Sequence, residues 1–405
     1  MAHVALTLTR RWARMPLALR IGIVYVLARL VTTGFLIAAA SLSTVFSRFG
    51  DDAGLVDFVL GWDAQWYWQV AVHGYPSDLP LTDDGQVAEN AWAFMPVFAY
   101  AAKALGFVLG SWAAGALVLS LGAGYLACLA LHRLLRDRVG NAAALWAVVF
   151  FASGPLAALF QVGYAETLFL LLLFLALDAT IRRNYAWLYV LIPVLGFTRP
   201  GVLAFALYLG LHGILRWRNR RTDPLGAREV VHIVALGALA TATGFAWQLI
   251  AGVVTGDPGA YLATELAWRR HWIVGGVEGF VPFEGWVQAS HFWFELWGLP
   301  SGWGPVALVV LVVAAAAALL RSPQVRALGP DLRLWSASYL LYLLAVFFPQ
   351  SSTFRLLLPL SPAWGAVAIP RSRAWRLGVL ALCLLGQWVW IYHVYALGST
   401  FWQVP

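Results

Sequence analysis

The residues best suited to chemistry lie in one run, Gly61-Trp62-Asp63-Ala64-Gln65-Trp66-Tyr67-Trp68-Gln69-Val70-Ala71-Val72-His73-Gly74-Tyr75. A carboxylate held among aromatic side chains is suited to take a proton from a hydroxyl within hydrogen-bond reach. If the run is helical, Trp62, Trp66, Gln69 and His73 share one face, and Asp63, Tyr67 and Val70 share the next. Two structural explanations compete with chemistry. An acid in the first turn of a helix is favoured by the helix dipole and free N–H groups. Trp and Tyr also collect at membrane–water interfaces without binding anything.

The elements that must position these residues are hydrophobic throughout. The chain has 405 residues, of which 61% are hydrophobic and 11% charged, against roughly 25% charged in soluble domains. Too little polar surface exists to coat a water-soluble particle. Apolar blocks such as Ile21–Thr44, Trp112–Leu131, Thr167–Leu177, Val230–Val254 and Val306–Leu320 recur along the chain, several near the length that spans a ~30 Å hydrocarbon core. The sequence therefore predicts an all-α, polytopic transmembrane bundle embedded as one domain, residues 1–405, in a lipid bilayer. Cys128 and Cys383 sit far apart in apolar runs and make no disulfide framework or metal motif. Lys103 is the sole lysine among 27 basic residues, and this arginine and alanine bias points to a GC-rich bacterial genome. The basic start (Arg10, Arg11, Arg14) and the long apolar run from Ile21 read as an uncleaved first span.

Arginine orients the chain. The clusters Arg10/Arg11/Arg14/Arg20, Arg133/Arg136/Arg138, Arg182/Arg183, Arg216/Arg218/Arg220/Arg221/Arg228, Arg321/Arg326/Arg333 and Arg371/Arg373/Arg376 can all face the cytoplasm. That arrangement requires about eleven spans, with the N-terminus inside a bacterial plasma membrane. It also requires residues 92–110, which contain Pro96 and Lys103, to lie in the interface or re-enter. Tyr185–Leu215 must likewise be two short helices hinged at Thr198-Arg199-Pro200-Gly201. Two large loops, residues 47–91 and 255–304, then face outward and hold most of the acidic residues. The net charge of +8 is accounted for by loop arginines, so nucleic-acid binding is not expected.

The run Gly61–Tyr75 resembles the W-D-x-x-W-Y-x-x-I-A-x-x-G-Y signature of the PIG-V family of mannosyltransferases. Three more segments are similar to that family. Ala93-Phe94-Met95-Pro96-Val97-Phe98 resembles F-F-P-L-Y-P, departing at the second Phe, the Tyr and the last Pro. Tyr164-Ala165-Glu166-Thr167-Leu168-Phe169 resembles Y-S-E-S-L-F, and Thr198-Arg199-Pro200-Gly201 resembles an R-x-x-G turn with its glycine shifted. The similarity covers residues 20–200, and beyond it rests on Phe354-Arg355…Pro359. The resemblance implies a GT-C type glycosyltransferase that takes a sugar, mannose by family, from a polyprenyl-phosphate donor. Its acceptor would be an envelope glycolipid or glycan. It implies Asp63 as the general base of an inverting displacement, with Trp62, Trp66, Tyr67 and His73 as substrate-binding candidates.

A lipid-phosphate leaving group needs positive charge or N–H donors. Outside the arginine clusters and the first span stand Arg48, Lys103, Arg199, Arg269, Arg270 and Arg355. Arg199 and Arg355, at the outer ends of short helices, are the phosphate-binding candidates, although any such arginine can also snorkel to headgroups. Arg269-Arg270-His271 could serve as well, though a loop facing anionic headgroups predicts the same residues. Glu166 should either pair with an arginine such as Arg199 or touch sugar hydroxyls, since an unpaired buried carboxylate tends to protonate. An acid at a helix start explains it equally well. His73 either binds phosphate or fills the aromatic helix. Asp83, Asp84 and Glu89 carry oxygen ligands of the kind that suits a divalent metal, but spread along a polar loop they also read as solvated charge, and no metal is assigned. Trp268, Trp272, Trp286, Trp293 and Trp297 could stack on sugars, and interfacial anchoring predicts the same residues.

Two other functions fit the same hydropathy. A transporter or flippase would place ionisable residues at mid-membrane, and Arg29 and Asp178 are its candidates, both near cytoplasmic helix ends. A non-catalytic subunit of an envelope-assembly complex would leave Asp63 structural.

Overall fold

A computed structural model describes residues 14–270, 279–349 and 352–399. Arg10, Arg11, His271, Trp272, Glu278 and Ser351 lie outside the described residues. The described chain is helical, and its only extended pairing is an isolated bridge between Leu81 and Val87.

The helices are α1 Leu17–Leu42, α2 Leu55–Val59, α3 Asp63–His73, α4 Pro96–Leu109, α5 Trp112–Val139, α6 Asn141–Ala152, α7 Glu166–Ile181, α8 Leu188–Gly196 and α9 Val202–Arg218. They continue as α10 Ala227–Thr255, α11 Ala260–Ala267, α12 Glu284–Leu296, α13 Trp303–Arg321, α14 Pro323–Arg326, α15 Pro330–Val346, α16 Thr353–Leu356, α17 Trp364–Ala368 and α18 Arg373–Ile391. Boundaries follow ordinary helix chemistry. Ser111 and Ser372 cap α5 and α18 by accepting from the N–H groups of Ala114 and Trp375. Proline opens α4 and α15, where its missing N–H costs nothing.

Five described helices are long and apolar enough to cross a membrane: α1, α5, α10, α13 and α18 with its continuation to Leu397. On α13, Val309, Val310 and Val313 are each 61% exposed. Such a surface is untenable in water and ordinary in lipid, because hydrocarbon satisfies apolar side chains while the helix satisfies its own backbone. Helix α4 has 14 residues, fewer than a span needs, and folds back on α5. The two can touch because Gly106 and Gly115 carry no side chain: a Cβ on Gly115 would sit 2.2 Å from the Ala102 carbonyl oxygen. The segment 185–218 is broken at 197–201 into α8 and α9.

The arginine-rich turns meet at one end of the bundle. Arg133 pairs with Asp178 at 2.9 Å, and Arg182 reaches Asp178 and Asp137 at 2.8 Å each. Arg183 and Arg216 share Asp223, and Arg216 also holds Glu229 at 2.9 Å. Glu166 begins the 16-residue helix whose other end adjoins Arg182, so it lies about 24 Å away, at the opposite end.

Arg29 corrects one expectation. It sits mid-way along α1 rather than near an end, and donates to the carbonyls of Ala152 and Ala157 between the rings of Tyr25 and Phe160. Ala152 ends α6, where carbonyls lack intrahelical partners, and the guanidinium satisfies it together with Ala157 in the following turn.

Candidate active site

Three tight features set Asp63 in place. A side chain at Gly61 would collide with the Phe49 ring at 2.5 Å. Trp62 has φ +54°, a left-handed conformation that a bulky residue adopts only when its surroundings hold it there. Its indole N–H donates to the Val394 carbonyl at 3.2 Å, the Arg48 guanidinium lies 4.8 Å above its ring, and Phe49 meets it edge-on. Helix α3 therefore starts at a fixed point, with Asp63 in its first turn and its N–H 3.4 Å from the Tyr164 hydroxyl oxygen.

The other members arrive from distant parts of the chain. The turn 162–165 is clamped by the Ser120 hydroxyl, which donates to the Val162 carbonyl at 2.8 Å, and by the Gly163 N–H, which donates to Val59 at 3.0 Å. This seats Tyr164 against Asp63 and starts α7 at Glu166. Arg199 lies in the break between α8 and α9, where Gly201 has φ +133°, a conformation glycine favours. Arg355 comes from α16, whose Leu356 carbonyl accepts from the Tyr339 hydroxyl at 2.8 Å.

The four charges interlock. Arg355 Nη1 donates to Asp63 Oδ2, Arg199 Nη1 pairs with Glu166 Oε1, and Arg355 Nε lies 3.4 Å from the same Glu166 oxygen. Glu166 thus offsets the repulsion between two neighbouring guanidinium groups. The Arg355 guanidinium also sits 5.6 Å from the Tyr164 ring centre. Side-chain exposure separates the two acids: 3% for Glu166 and 19% for Asp63. Of these two, Asp63 is the more open to a ligand, while Glu166 is enclosed between the two guanidinium groups. Burial pushes the Asp63 carboxyl above its ordinary range, Arg355 beside it pulls it back, and Glu166 raises it further.

The aromatic candidates divide. Trp62 borders the cluster, but its ring faces Arg48. Trp66 stacks on Phe94 at 5.6 Å and meets Trp268 edge-on at 5.7 Å. Tyr67 is buried between Phe94 and Phe98, where it fixes α3 to α4. His73 is exposed at the far end of α3, edge-on to Trp68, about 15 Å along the helix from Asp63. It is not part of the cluster. The remaining non-cluster cations hold backbone: Lys103 donates to the Ala71 carbonyl at 2.6 Å, Arg269 to Val346 at 2.6 Å and Arg270 to Val87 at 3.1 Å. Asp83 and Asp84 are exposed, and no group of three His, Cys, Asp or Glu able to hold a metal occurs among the described residues.

Sequence reasoning missed the tyrosines. Tyr164, Tyr395 and Tyr339 wall the cluster, and Tyr342 beside Tyr339 leads on to Glu265, itself bonded by Tyr261 and close to Arg269. Tyr164 stood in the Tyr164-Ala165-Glu166 motif; no local signal marked the others. An apolar groove of about 810 Å³ opens beside the site. Phe354, which precedes Arg355, lines it together with Leu358, Trp293, Trp297, Trp364 and Trp390.

No protein-family model matches the chain, and no curated protein matches it.

Proposed function

We propose that the chain is a membrane glycosyltransferase that moves a sugar from a polyprenyl-phosphate donor to an envelope glycolipid or glycan, with inversion. The observation that carries this reading is the carboxylate–guanidinium cluster of Asp63, Glu166, Arg199 and Arg355 beside a tryptophan-lined apolar groove. The groove suits a prenyl chain, and Arg355, which follows the lining residue Phe354, suits the phosphate together with Arg199. Asp63 takes the acceptor hydroxyl proton, the freed oxygen attacks the anomeric carbon, and the bond from that carbon to the phosphate oxygen breaks. The departing lipid phosphate carries its new negative charge toward Arg199 and Arg355. A guanidinium has five N–H donors, so Arg355 can orient Asp63 and still face phosphate. Mannose as the sugar, and membership of the GT-C type PIG-V-like enzymes, rest on the sequence resemblance alone.

The cluster lies at the end of the bundle opposite the arginine-rich turns, which supports an extracytoplasmic site and a cytoplasmic N-terminus in a bacterial plasma membrane. The transporter or flippase reading draws less support, because both its candidates are engaged: Arg29 by backbone carbonyls and Asp178, at the end of the bundle, by Arg133 and Arg182. The test is transfer of radiolabelled sugar from polyprenyl-phosphate-mannose to membrane lipids by wild type and Asp63→Asn. Transfer lost in the variant at equal protein level supports the reading. Equal transfer removes Asp63 from the mechanism and favours a non-catalytic role for it.

A further inference from the structure

A second groove, about 820 Å³, runs between α9 and α10, away from the Asp63 cluster. Its walls are apolar or small, with Gly210, Gly213, Gly237 and Ala238 forming a notch and Leu207 and Val234 its rims. Lining residues run from Leu203 to Trp217 on α9 and from Val230 to Thr241 on α10. These stretches measure about 21 Å and about 16 Å at the helical rise. The shorter matches one leaflet, half of a ~30 Å hydrocarbon core.

The Trp217 end of this groove is basic. Trp217 lines it, and Arg220 stacks on the Trp217 ring at 4.2 Å while donating to its carbonyl at 2.8 Å. Arg221 is exposed on the same turn, which also contributes Leu225 to the wall. The carboxylates of the turn are already used: Asp223 pairs with Arg183 and Arg216, and Glu229 with Arg216. Among the described residues, neither Arg220 nor Arg221 forms an ion pair. Two uncompensated cations, Arg220 and Arg221, therefore stand at the Trp217 end of a leaflet-deep apolar slot.

We propose that this groove holds one anionic phospholipid, with an acyl chain along the Gly210–Gly237 notch and the phosphate on Arg220 and Arg221. Apolar burial holds the chain, and the arginines select the charged headgroup over a zwitterionic one. This inference needs only the membrane location and stands apart from the reaction at Asp63. Two glycines make it testable without disturbing the fold. A Cβ on Gly210 or Gly237 would meet nothing within 4 Å, so a larger side chain there occupies the slot rather than the core.

The experiment is native mass spectrometry of the intact chain in detergent, titrated separately with phosphatidylglycerol and phosphatidylcholine of identical acyl chains. Wild type should retain phosphatidylglycerol preferentially. Each arginine is expected to contribute about fivefold, so Arg220→Gln/Arg221→Gln should lower phosphatidylglycerol retention on the order of 25-fold and leave phosphatidylcholine unchanged. Gly237→Leu should weaken both lipids while the melting temperature in lipid-free detergent stays level, and Gly210→Leu supplies the same blockade if the first variant unfolds. Equal retention of the two lipids by wild type, or undiminished phosphatidylglycerol on a folded groove-filled variant, would overturn the proposal.

Discussion

Arg355 donates to the carboxylate of Asp63 across 292 positions of chain. The first turn of α3 favours an acid at Asp63, and Arg355 supplies the partner that its apolar setting requires. The pairing leaves Asp63 oriented and open while Glu166, between Arg355 and Arg199, is closed off.

If Asp63 removes the acceptor proton, Asp63→Asn keeps the shape and loses the base. Sugar transfer in purified membranes is expected to fall by about 10²–10⁴-fold, with detergent-extracted yield unchanged. Arg355→Lys should also lose transfer, because an ammonium cannot offer the planar fork that serves a carboxylate and a phosphate together.

The acid limb of the pH–rate profile should report the Asp63 carboxyl, which must be deprotonated to act. Burial raises its pKa, so that limb lies above the ordinary carboxylate range. Glu166 raises it further, so Glu166→Gln should move the limb to lower pH. Arg355 lowers it, so Arg355→Gln should move the limb of any residual activity to higher pH. Initial rates across pH 4–9 with a saturating donor give both signs. A limb that moves the same way in both variants would break the assignment.

The tryptophan-lined groove should act on donor length. Ala363 lines it, and Ala363→Phe is expected to raise KM for a long-chain polyprenyl donor on the order of tenfold. A short-chain analogue should be unaffected. Steady-state kinetics with both donors separates this effect from damage to the cluster, which would lower kcat for each.

Packing between α4 and α5 can be tested separately. Gly115→Ala places a methyl against the Ala102 carbonyl and should cost about 1–3 kcal/mol, seen as a lower melting temperature in detergent. Gly122→Ala on the same helix meets nothing within 4 Å and should leave stability level or slightly raised.

Much of the architecture was legible from sequence because it follows from composition. A chain with this little charge must use lipid as solvent, and apolar runs in lipid must be helical to satisfy their own backbone. The long runs beginning at Leu17, Trp112, Ala227, Trp303 and Arg373 are such helices. The candidate charges were legible for the same reason: against an apolar background, Asp63, Glu166, Arg199 and Arg355 are conspicuous and costly unless partnered.

The Glu166–Arg199 pair was among the pairings the sequence suggested; the Asp63–Arg355 partnership was not legible, because pairing depends on where helix ends meet. Only the packing of α3, α7, the α8–α9 break and α16 decided that Asp63 meets Arg355 and that Glu166 is shared by both arginines. The same packing left His73 outside, although helical spacing put it on the face of Trp62 and Trp66. It also set Arg29 on the carbonyls of Ala152, which ends α6, and Ala157 just beyond it. Local periodicity reports which face of a helix a residue occupies; which other helix that face reaches is a property of the folded bundle.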